Sequence, residues 1–546
     1  MTIVIPKQLR SLEFTELTLV ELNDIDVDRL LPHLWELVVK QGRMSSAPKD
    51  ADDYGRYLGA LAANERLEGF DDEHGKKVLD GWLRSSIVRI GAKGRARSGT
   101  QMDYIQPLTI ASYRAGLPKT RRHRHAHTLI YHLLIERLKL LGVEAPEKNL
   151  RYALEKAVGA GVKIGVDGQW VPEYDGRTDI DINALLSLYF LEEFTPLGAR
   201  EATYGFRSSV VPGATRGLAG DLLDYLVAYG GRLTPSAFVD RFAALISLRL
   251  FQLPLRVARA TRHVLNTGEQ SEDMRDDADV ANPLELYCDF TRVRGSASDE
   301  LARQCVLRDL EIMSGFMPDR LLLRSLREAA LSTLRKRGEE IRNLPMPDSL
   351  VAMVSLREDM RINTYADIRI QEIEAETEEN GTDEDLEFIA SVRDSEALSI
   401  EQLTTLLVEG LSRTALKNQV GWFSSTGGIK KPYGLITGSS NSRRSWRYAP
   451  SDDLMYALLL VCFTTGQGPE ARPRVRMPIV KLLKVLRDRF GILIDRPPAA
   501  FDSVDNRAAA AANLEAFKRR LRLLGCFDGL SDDFSAQYVR NPLETE

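Results

Sequence analysis

Residues 451–464 read SDDLMYALLLVCFT, and this stretch opens the most regular part of the chain. Its apolar residues recur at helical spacing, and two more helical stretches follow at 477–490 and 508–524, each after a loop that contains glycine and proline. Two short strand candidates come next, around Phe527 and at 537–539. Three helices followed by a two-stranded ribbon is the order of a winged helix. We therefore predict a winged-helix-like domain over residues 400–546.

The rest of the chain has mostly helical periodicity. Helices are predicted at 26–40, 50–67, 218–229 and 234–251, with short strands at 87–90 and 104–110 and a hairpin at 162–174. The fold class is therefore mainly α and multidomain, with small β elements. We divide the chain into a mixed α/β N-terminal domain (1–145), a helical middle domain (146–365), an acidic linker (366–399) and the C-terminal domain.

The amino-acid composition is typical of a globular protein rather than of a disordered, disulfide-rich or membrane-spanning one. The 546 residues are 44% apolar and 28% charged, as in ordinary globular proteins. Four widely spaced cysteines without a CxxC pair fit a reducing compartment. The first residues lack a signal-peptide pattern, and the longest apolar run, 455–463, is shorter than the roughly 20 residues that a membrane-spanning helix needs. We expect a cytoplasmic protein without a membrane partner.

Charge is segregated along the sequence, although the formal net charge is only -5. Residues 371–396 contain eleven carboxylates and one arginine. Like charges at this density repel one another, so we predict a solvated linker or a frayed helix and a domain boundary there.

The first basic surface lies in the C-terminal domain. The predicted third helix of the winged helix is the one that enters the DNA major groove in such domains. The cations of this helix are Lys518, Arg519, Arg520 and Arg522. A second group of cations precedes the three helices and consists of Lys430, Lys431, Arg443, Arg444 and Arg447. Tyr433, Trp446 and Tyr448 are interleaved with the second group, which suits phosphate neutralisation and base stacking. The alternative is a surface that docks onto a partner protein, with its arginines merely solvated.

The second basic surface is a stripe over residues 84–124, where ten lysines and arginines face one acid, Asp103. Such a stripe is the usual electrostatic footprint of nucleic-acid binding. Its candidate contact residues are Arg89, Lys93, Arg95, Arg97, Lys119, Arg121, Arg122 and Arg124. Alternatively, the stripe pairs with the acidic linker or with an acidic partner.

Signatures of catalysis and metal binding are missing from the sequence. His123, His125 and His127 lie close together, with His123 and His127 one helical turn apart, but arginines neighbour them and no HExxH motif accompanies them, so we predict solvated or phosphate-facing histidines. We find no P-loop and no nucleophile elbow, and we expect no cofactor, no metal and no catalytic residue. The arginines at 249, 256 and 259 share a helix face, and we predict ion pairs for them.

Several stretches resemble a known family: GWLR at 81–84, SIVRIG at 86–91, YIQPLT at 104–109, YAPSDDL at 448–454 and the segment 477–495. They are similar to a component of the methylation-associated defence systems, which are multigene anti-phage operons of bacteria. The resemblance implies a helper subunit that works beside a DNA methyltransferase, an ATPase and other effectors.

The leading hypothesis is a non-enzymatic DNA-binding or scaffold subunit of such a system, with DNA and other defence-system subunits as partners. A second hypothesis is a protein-interaction module that binds operon partners without DNA. A third is a cryptic metal-dependent nuclease, because carboxylate pairs assembled from distant residues are invisible in a sequence.

Overall fold

A computed structural model describes residues 3–46, 54–65, 68–90, 102–105, 109–110, 123–159, 197–201, 208–275, 281–527 and 537–543. Helices dominate these ranges. In chain order they are α1 (Thr15–Thr18), α2 (Val27–Val39), α3 (Tyr54–Ala62), α4 (Glu73–Ser86), α5 (Ala126–Leu140), α6 (Pro146–Val158), α7 (Pro212–Tyr229), α8 (Pro235–Thr267), α9 (Ala297–Thr333), α10 (Lys336–Asn343), α11 (Met346–Val354), α12 (Met360–Asn380), α13 (Asp383–Arg393), α14 (Ser399–Thr426), α15 (Asp452–Cys462), α16 (Ile479–Phe490) and α17 (Val504–Leu523).

The strands of the described ranges are short and pair two by two. They are β1 (Arg43–Ser46), β2 (Val88–Ile90), β3 (Met102–Ile105), β4 (Leu197–Glu201), β5 (Leu286–Tyr287), β6 (Ile436–Thr437), β7 (Arg447–Tyr448), β8 (Thr464–Thr465), β9 (Arg472–Pro473), β10 (Arg476–Pro478), β11 (Ile492–Leu493) and β12 (Tyr538–Arg540). The pairs β1–β4, β2–β3, β6–β7, β8–β9 and β10–β12 are antiparallel, whereas β5–β11 is parallel.

The mainly α fold class is confirmed. The helix predicted at 26–40 is α2, and the strands predicted at 87–90 and 104–110 correspond to β2 and β3, which pair with each other. The hairpin predicted at 162–174 lies outside the described residues. Within the described ranges, no helix combines the length and the apolar character that a membrane crossing requires.

Helices α7 and α8 correspond to the helices predicted at 218–229 and 234–251, but both are longer than predicted. The Thr234 hydroxyl caps α8 by accepting from the Ala237 amide, and Gly231 turns the chain with a φ of +78°. The helix continues beyond residue 251, through Pro254, to Thr267. Its middle is buried on all sides, and this burial favours a continuous helix despite the proline.

The hydrophobic core is continuous through the described residues, from Ile3 to Val539. Helix α9 packs on α8, α12, α14 and α17 and so lies at the centre of the contacts. Aromatic rings connect the units: Phe251 of α8 stacks on Trp422 of α14 with centroids 5.8 Å apart. The division into four parts stays a prediction.

The acidic segment is ordered, in contrast to the predicted solvated linker or frayed helix. Most of it forms α12 and α13, and a capping box between Thr382 and Asp385 starts the second of these helices. Ile373 and Ile389 are fully buried, and both helices pack on α14. Burial of these apolar side chains offsets the repulsion among carboxylates that face outward.

The C-terminal helices follow the predicted order, as α15, α16 and α17. Strand β10 precedes α16 and pairs with β12, and Phe527 bridges Val539 on the other side of β12. The inner face of α17 rests on the preceding units, because the Asn513 amide donates to the carbonyls of Cys288 and Ile494 at 2.9 and 3.1 Å. The winged-helix assignment stays a prediction.

A buried ion network joins the middle helices to α16. Asp221 of α7 is fully buried and accepts from the Nε atoms of Arg249 and Arg489, each at 2.5 Å. Gln252 adds a hydrogen bond from its amide to the Phe490 carbonyl at 2.5 Å. The ion pairs predicted for the arginines of α8 are thus confirmed for Arg249, and also for Arg256, which pairs with Asp273.

We predict that Asp221→Asn lowers the free energy of unfolding by about 3–5 kcal/mol, because a buried guanidinium then loses its carboxylate. Urea unfolding followed by circular dichroism measures the change. Lys484→Gln, which breaks an exposed pair with Asp488, should change stability by no more than about 0.5 kcal/mol. Equal losses in the two variants would contradict the prediction.

Candidate nucleic-acid interface

The predicted DNA-contacting cations whose side chains the structure describes form two groups, and the first group forms ion pairs within the chain. Five of them have carboxylate partners: Arg124 with Glu21 and Asp24, Lys431 with Asp26 and Asp28, Arg447 with Asp299, Lys518 with Glu515, and Arg520 with Asp452. These pairs tie elements together, as when Lys431 holds the loop after α14 against the start of α2. Their charge is largely neutralised in place.

The second group is exposed and consists of Lys430, Arg443, Arg444, Arg519 and Arg522. Among the described residues, no carboxylate pairs with any of these five side chains. We call Lys430, Arg443 and Arg444 the hairpin patch, and Arg519 and Arg522 the helix patch. The guanidinium of Arg522 lies 5.3 Å from the centroid of the Phe527 ring, which supports it from one side.

The aromatic rings near the hairpin patch are not surface platforms. Tyr433, Trp446 and Tyr448 are buried, and each uses its polar atom inside the protein. The Tyr448 hydroxyl donates to Asp309 at 2.8 Å, and the Trp446 indole donates to the Ser439 carbonyl at 2.8 Å. The expectation that these three rings stack on bases is therefore wrong, because all three rings are buried in the hydrophobic core.

Most of the N-terminal basic stripe lies outside the described residues. This applies to Lys93, Arg95, Arg97, Lys119, Arg121 and Arg122, and to the side chain of Arg89, whose backbone is part of β2. Arg124 is described and forms the ion pairs given above. The stripe as a DNA-binding surface stays a prediction.

A loop that sequence reasoning missed adjoins both patches. It runs from residue 289, after β5, to Asp299 in the first turn of α9, and we call this segment the bridging loop. The buried carboxylate of Asp289 shapes it by accepting from the Thr291 hydroxyl at 2.8 Å and from the Arg292 amide at 3.2 Å. Arg292 adopts a φ of +54°, and both Arg292 and Arg294 are exposed.

Ion pairs fix the bridging loop to the two basic segments. Arg292 shares Asp452 with Arg520 of α17, at 3.0 Å from Arg292. At the other end, Asp299 pairs with Arg447 of the hairpin at 2.5 Å. The run TRVRG at 291–295 is the only sequence signal for this loop, and it is too short to stand out among the charges of the chain.

The outward face of α17 carries small side chains in its N-terminal half and arginines in its C-terminal half. Ala508, Ala511 and Ala512 are exposed on the same face as the helix patch, and so is Glu515, which pairs with the buried Lys518. Small side chains allow a close approach of another surface, and the two arginines follow one helical turn apart. This face can therefore meet a polyanion along the helix axis.

The predicted histidine pair lies in the interior, against a third histidine that the sequence did not reveal. His33 of α2, His123 and His127 are buried, with ring centroids 4.1–5.6 Å apart. The prediction of solvated or phosphate-facing rings is therefore wrong for His123 and His127, because α2 covers them. Among the described residues, no group of three or more His, Cys, Asp or Glu has the arrangement of a metal site.

Burial, reinforced by His33, lowers the pKa of His123 to about 3 and keeps the pKa of His127 well below its ordinary value. Both rings are thus neutral in the fold and take up protons on unfolding below about pH 6.5. We predict that the free energy of unfolding falls by about 1.4 kcal/mol per pH unit for each ring as the pH drops from 6.5 toward 5.

Urea unfolding at several pH values between about 7.5 and 5 measures this slope. His127→Leu should reduce the slope by about one proton, whereas His263→Gln, a change at an exposed position of α8, should leave it unaltered. A slope that is the same in all three proteins would contradict the assignment.

The cysteines are packing residues. All four are buried, and burial raises the pKa of Cys305 and of Cys462 to about 12. A thiol in such surroundings is protonated at neutral pH and is a poor nucleophile.

Comparison with known proteins gives one match. A family model described as methylation-associated defense system protein MAD7 covers residues 7–543. No curated protein and no solved structure matches the chain. The family model spans nearly the whole sequence and confirms the resemblance seen in the short motifs. The chain belongs to the family of the methylation-associated defense system protein MAD7.

Proposed function

We propose that the chain is a non-enzymatic DNA-binding subunit of its defence system, and that the helix patch and the bridging loop form the contact surface. Family membership supports a role in anti-phage defence. The observation that carries the DNA-binding proposal is the exposure of Arg519, Arg522 and Arg294 around the junction where Arg292 and Arg520 both pair with Asp452.

Physical chemistry favours the exposed cations over the ion-paired ones as DNA contacts. Cations that already pair with carboxylates release few counterions when they meet phosphate, whereas exposed cations without such partners release more. The pairs at Asp452 also hold the loop beside the helix, so that the exposed arginines are positioned before binding. Rigid positioning reduces the entropy lost on association.

The order of elements supports a winged-helix reading of the same region. Helix α17 is the third helix of the series, and β10, β12 and the bridge at Phe527 occupy the places of a small sheet beside it. In winged-helix and related domains the third helix enters the major groove. On this reading, the outward face of α17 meets DNA, and its inner face holds the domain on the rest of the chain.

We predict that Arg519→Glu/Arg522→Glu weakens duplex binding and flattens its salt dependence. The slope of log affinity against log salt should decrease in magnitude by about 0.9 for each phosphate contact that is lost. Fluorescence anisotropy with a labelled duplex between about 50 and 200 mM NaCl measures both quantities. The control, Lys336→Glu/Arg337→Glu, makes the same charge change at exposed positions of α10 and should stay close to wild type.

A separate variant tests the bridging loop. Arg292→Glu/Arg294→Glu should lower affinity to a similar degree, and combining it with the helix-patch variant should abolish measurable binding. Wild-type affinity in the loop variant would remove the loop from the surface. Failure of the wild-type protein to bind any duplex or single strand at low salt would overturn the proposal, and metal-dependent cleavage of the probe would favour the nuclease hypothesis.

A scaffold role is the second candidate, and the ordered acidic helices favour it. Carboxylates at the junction of α12 and α13, including Glu378, Glu379, Asp383 and Glu384, are exposed on a rigid support. Such a surface suits a basic partner protein, and the methyltransferase or ATPase of the system is the proposed partner. Co-purification that survives nuclease treatment, together with no DNA binding by the chain alone, would favour the scaffold.

A further inference from the structure

Arg320 of α9 differs from the other deeply buried arginines of the chain. Arg29, Arg249 and Arg256 each pair with a carboxylate. Among the described residues, Arg320 has no such partner, although only 5% of it is exposed. Its Nε atom is buried without a hydrogen bond, and its Nη1 atom reaches the Leu12 carbonyl only at 3.5 Å. A guanidinium in these surroundings keeps most of its five donors unused.

Leaving this charge unpaired is costly. Transfer of an ion into the protein interior carries a penalty of several kcal/mol unless an opposite charge compensates it. Burial by itself lowers the pKa of Arg320 to about 10, and no acid raises it again. The ring of Phe316, 5.6 Å from the guanidinium carbon, offers only weak compensation.

The same guanidinium lines a cavity of about 280 Å³. The cavity lies between the N-terminal segment, α9 and α14, and it holds space for about nine water molecules. Arg10, Glu13, Glu21 and Asn418 also line it. This volume is at the low end of ligand pockets and suits a small molecule rather than a peptide or a nucleic acid.

The polar groups of the cavity have an asymmetric arrangement. Arg320 is the most deeply buried charge, whereas Glu13 is exposed. Glu21 pairs with Arg124, whereas partial burial and the neighbouring Glu21 carboxylate raise the pKa of Glu13. A ligand with an anionic group at the arginine and a neutral or cationic remainder toward Glu13 would satisfy both ends.

We propose that this cavity is a binding site for a small anionic metabolite, whose phosphate or carboxylate group pairs with the unpartnered guanidinium of Arg320. Arginine presents a planar fork of donors that matches both groups in a bidentate manner. The site is separate from the proposed DNA surface, and neither proposal depends on the other. Ligand binding here would cross-link the N-terminal segment to α9 and α14.

The test uses the full-length protein and inorganic phosphate, with sodium chloride of equal ionic strength as the reference. Thermal unfolding should shift to higher Tm with phosphate and should saturate, because a ligand that binds only the native state stabilises it. Acetate in a parallel series distinguishes a carboxylate-binding site from a phosphate-binding site. Broadening of the ³¹P resonance of phosphate by the wild-type protein gives a second, independent readout.

Arg320→Met should abolish the anion-dependent shift while keeping or raising Tm in chloride, since it removes an unpaired buried charge and retains the side-chain volume. The control, Arg303→Met, lies on the same helix about 25 Å away and should keep the wild-type response. Asn418→Trp fills the cavity without touching the charge and should also abolish the shift, which keeps the test valid if Arg320→Met does not fold.

Two outcomes would overturn the proposal. One is an anion-dependent shift that persists in Arg320→Met and Asn418→Trp, because the anion would then bind elsewhere. The other is the absence of any shift and of any ³¹P broadening in the wild type, combined with a large loss of Tm in Arg320→Met, because the arginine would then be only a structural residue. The helix-patch variant should keep the anion response, which separates this site from DNA binding.

Discussion

The buried carboxylate of Asp221 is the interaction on which the arrangement of the chain depends. It receives Arg249 from the long helix α8 and Arg489 from α16, and because Asp221 and Arg249 are buried, solvent screens their charges only weakly. Charged hydrogen bonds in such a place have narrow geometric limits, so α16 is held in one position against α7 and α8. The parallel pair β5–β11 then follows, because β11 comes directly after α16.

The position of α16 against α7 and α8 also determines where the basic residues of the C-terminal part lie. Since β5 leads into the bridging loop and β11 leads into α17, their pairing brings Arg292 next to Arg520. The exposed arginines gather around Asp452 as a consequence of packing far from them. The proposed DNA-binding surface thus depends on a core interaction that contains none of the residues proposed to contact DNA.

The arginines of the chain have three different roles, and these roles differ in how deeply the side chains are buried. Arg249 holds the core together, Arg447 and Arg520 fasten surface segments, and Arg519 and Arg522 face outward. Arg320 fits none of these groups, because it is buried beside a cavity and, among the described residues, no carboxylate pairs with it. Neighbouring residues such as Arg519 and Arg520 differ only in the direction that a helix gives their side chains.

The sequence by itself determined the helical class, the order of the three C-terminal helices, the strands β2 and β3, and the family, because periodicity and short motifs are local properties of a chain. It did not show that the acidic segment is ordered, that His33 joins the two histidines, or that Tyr448 and Trp446 are interior. Only the tertiary structure decided which cations remain available for a polyanion. Ion pairing joins residues hundreds of positions apart, as with Lys431 and Asp28, and no local pattern encodes such a distance.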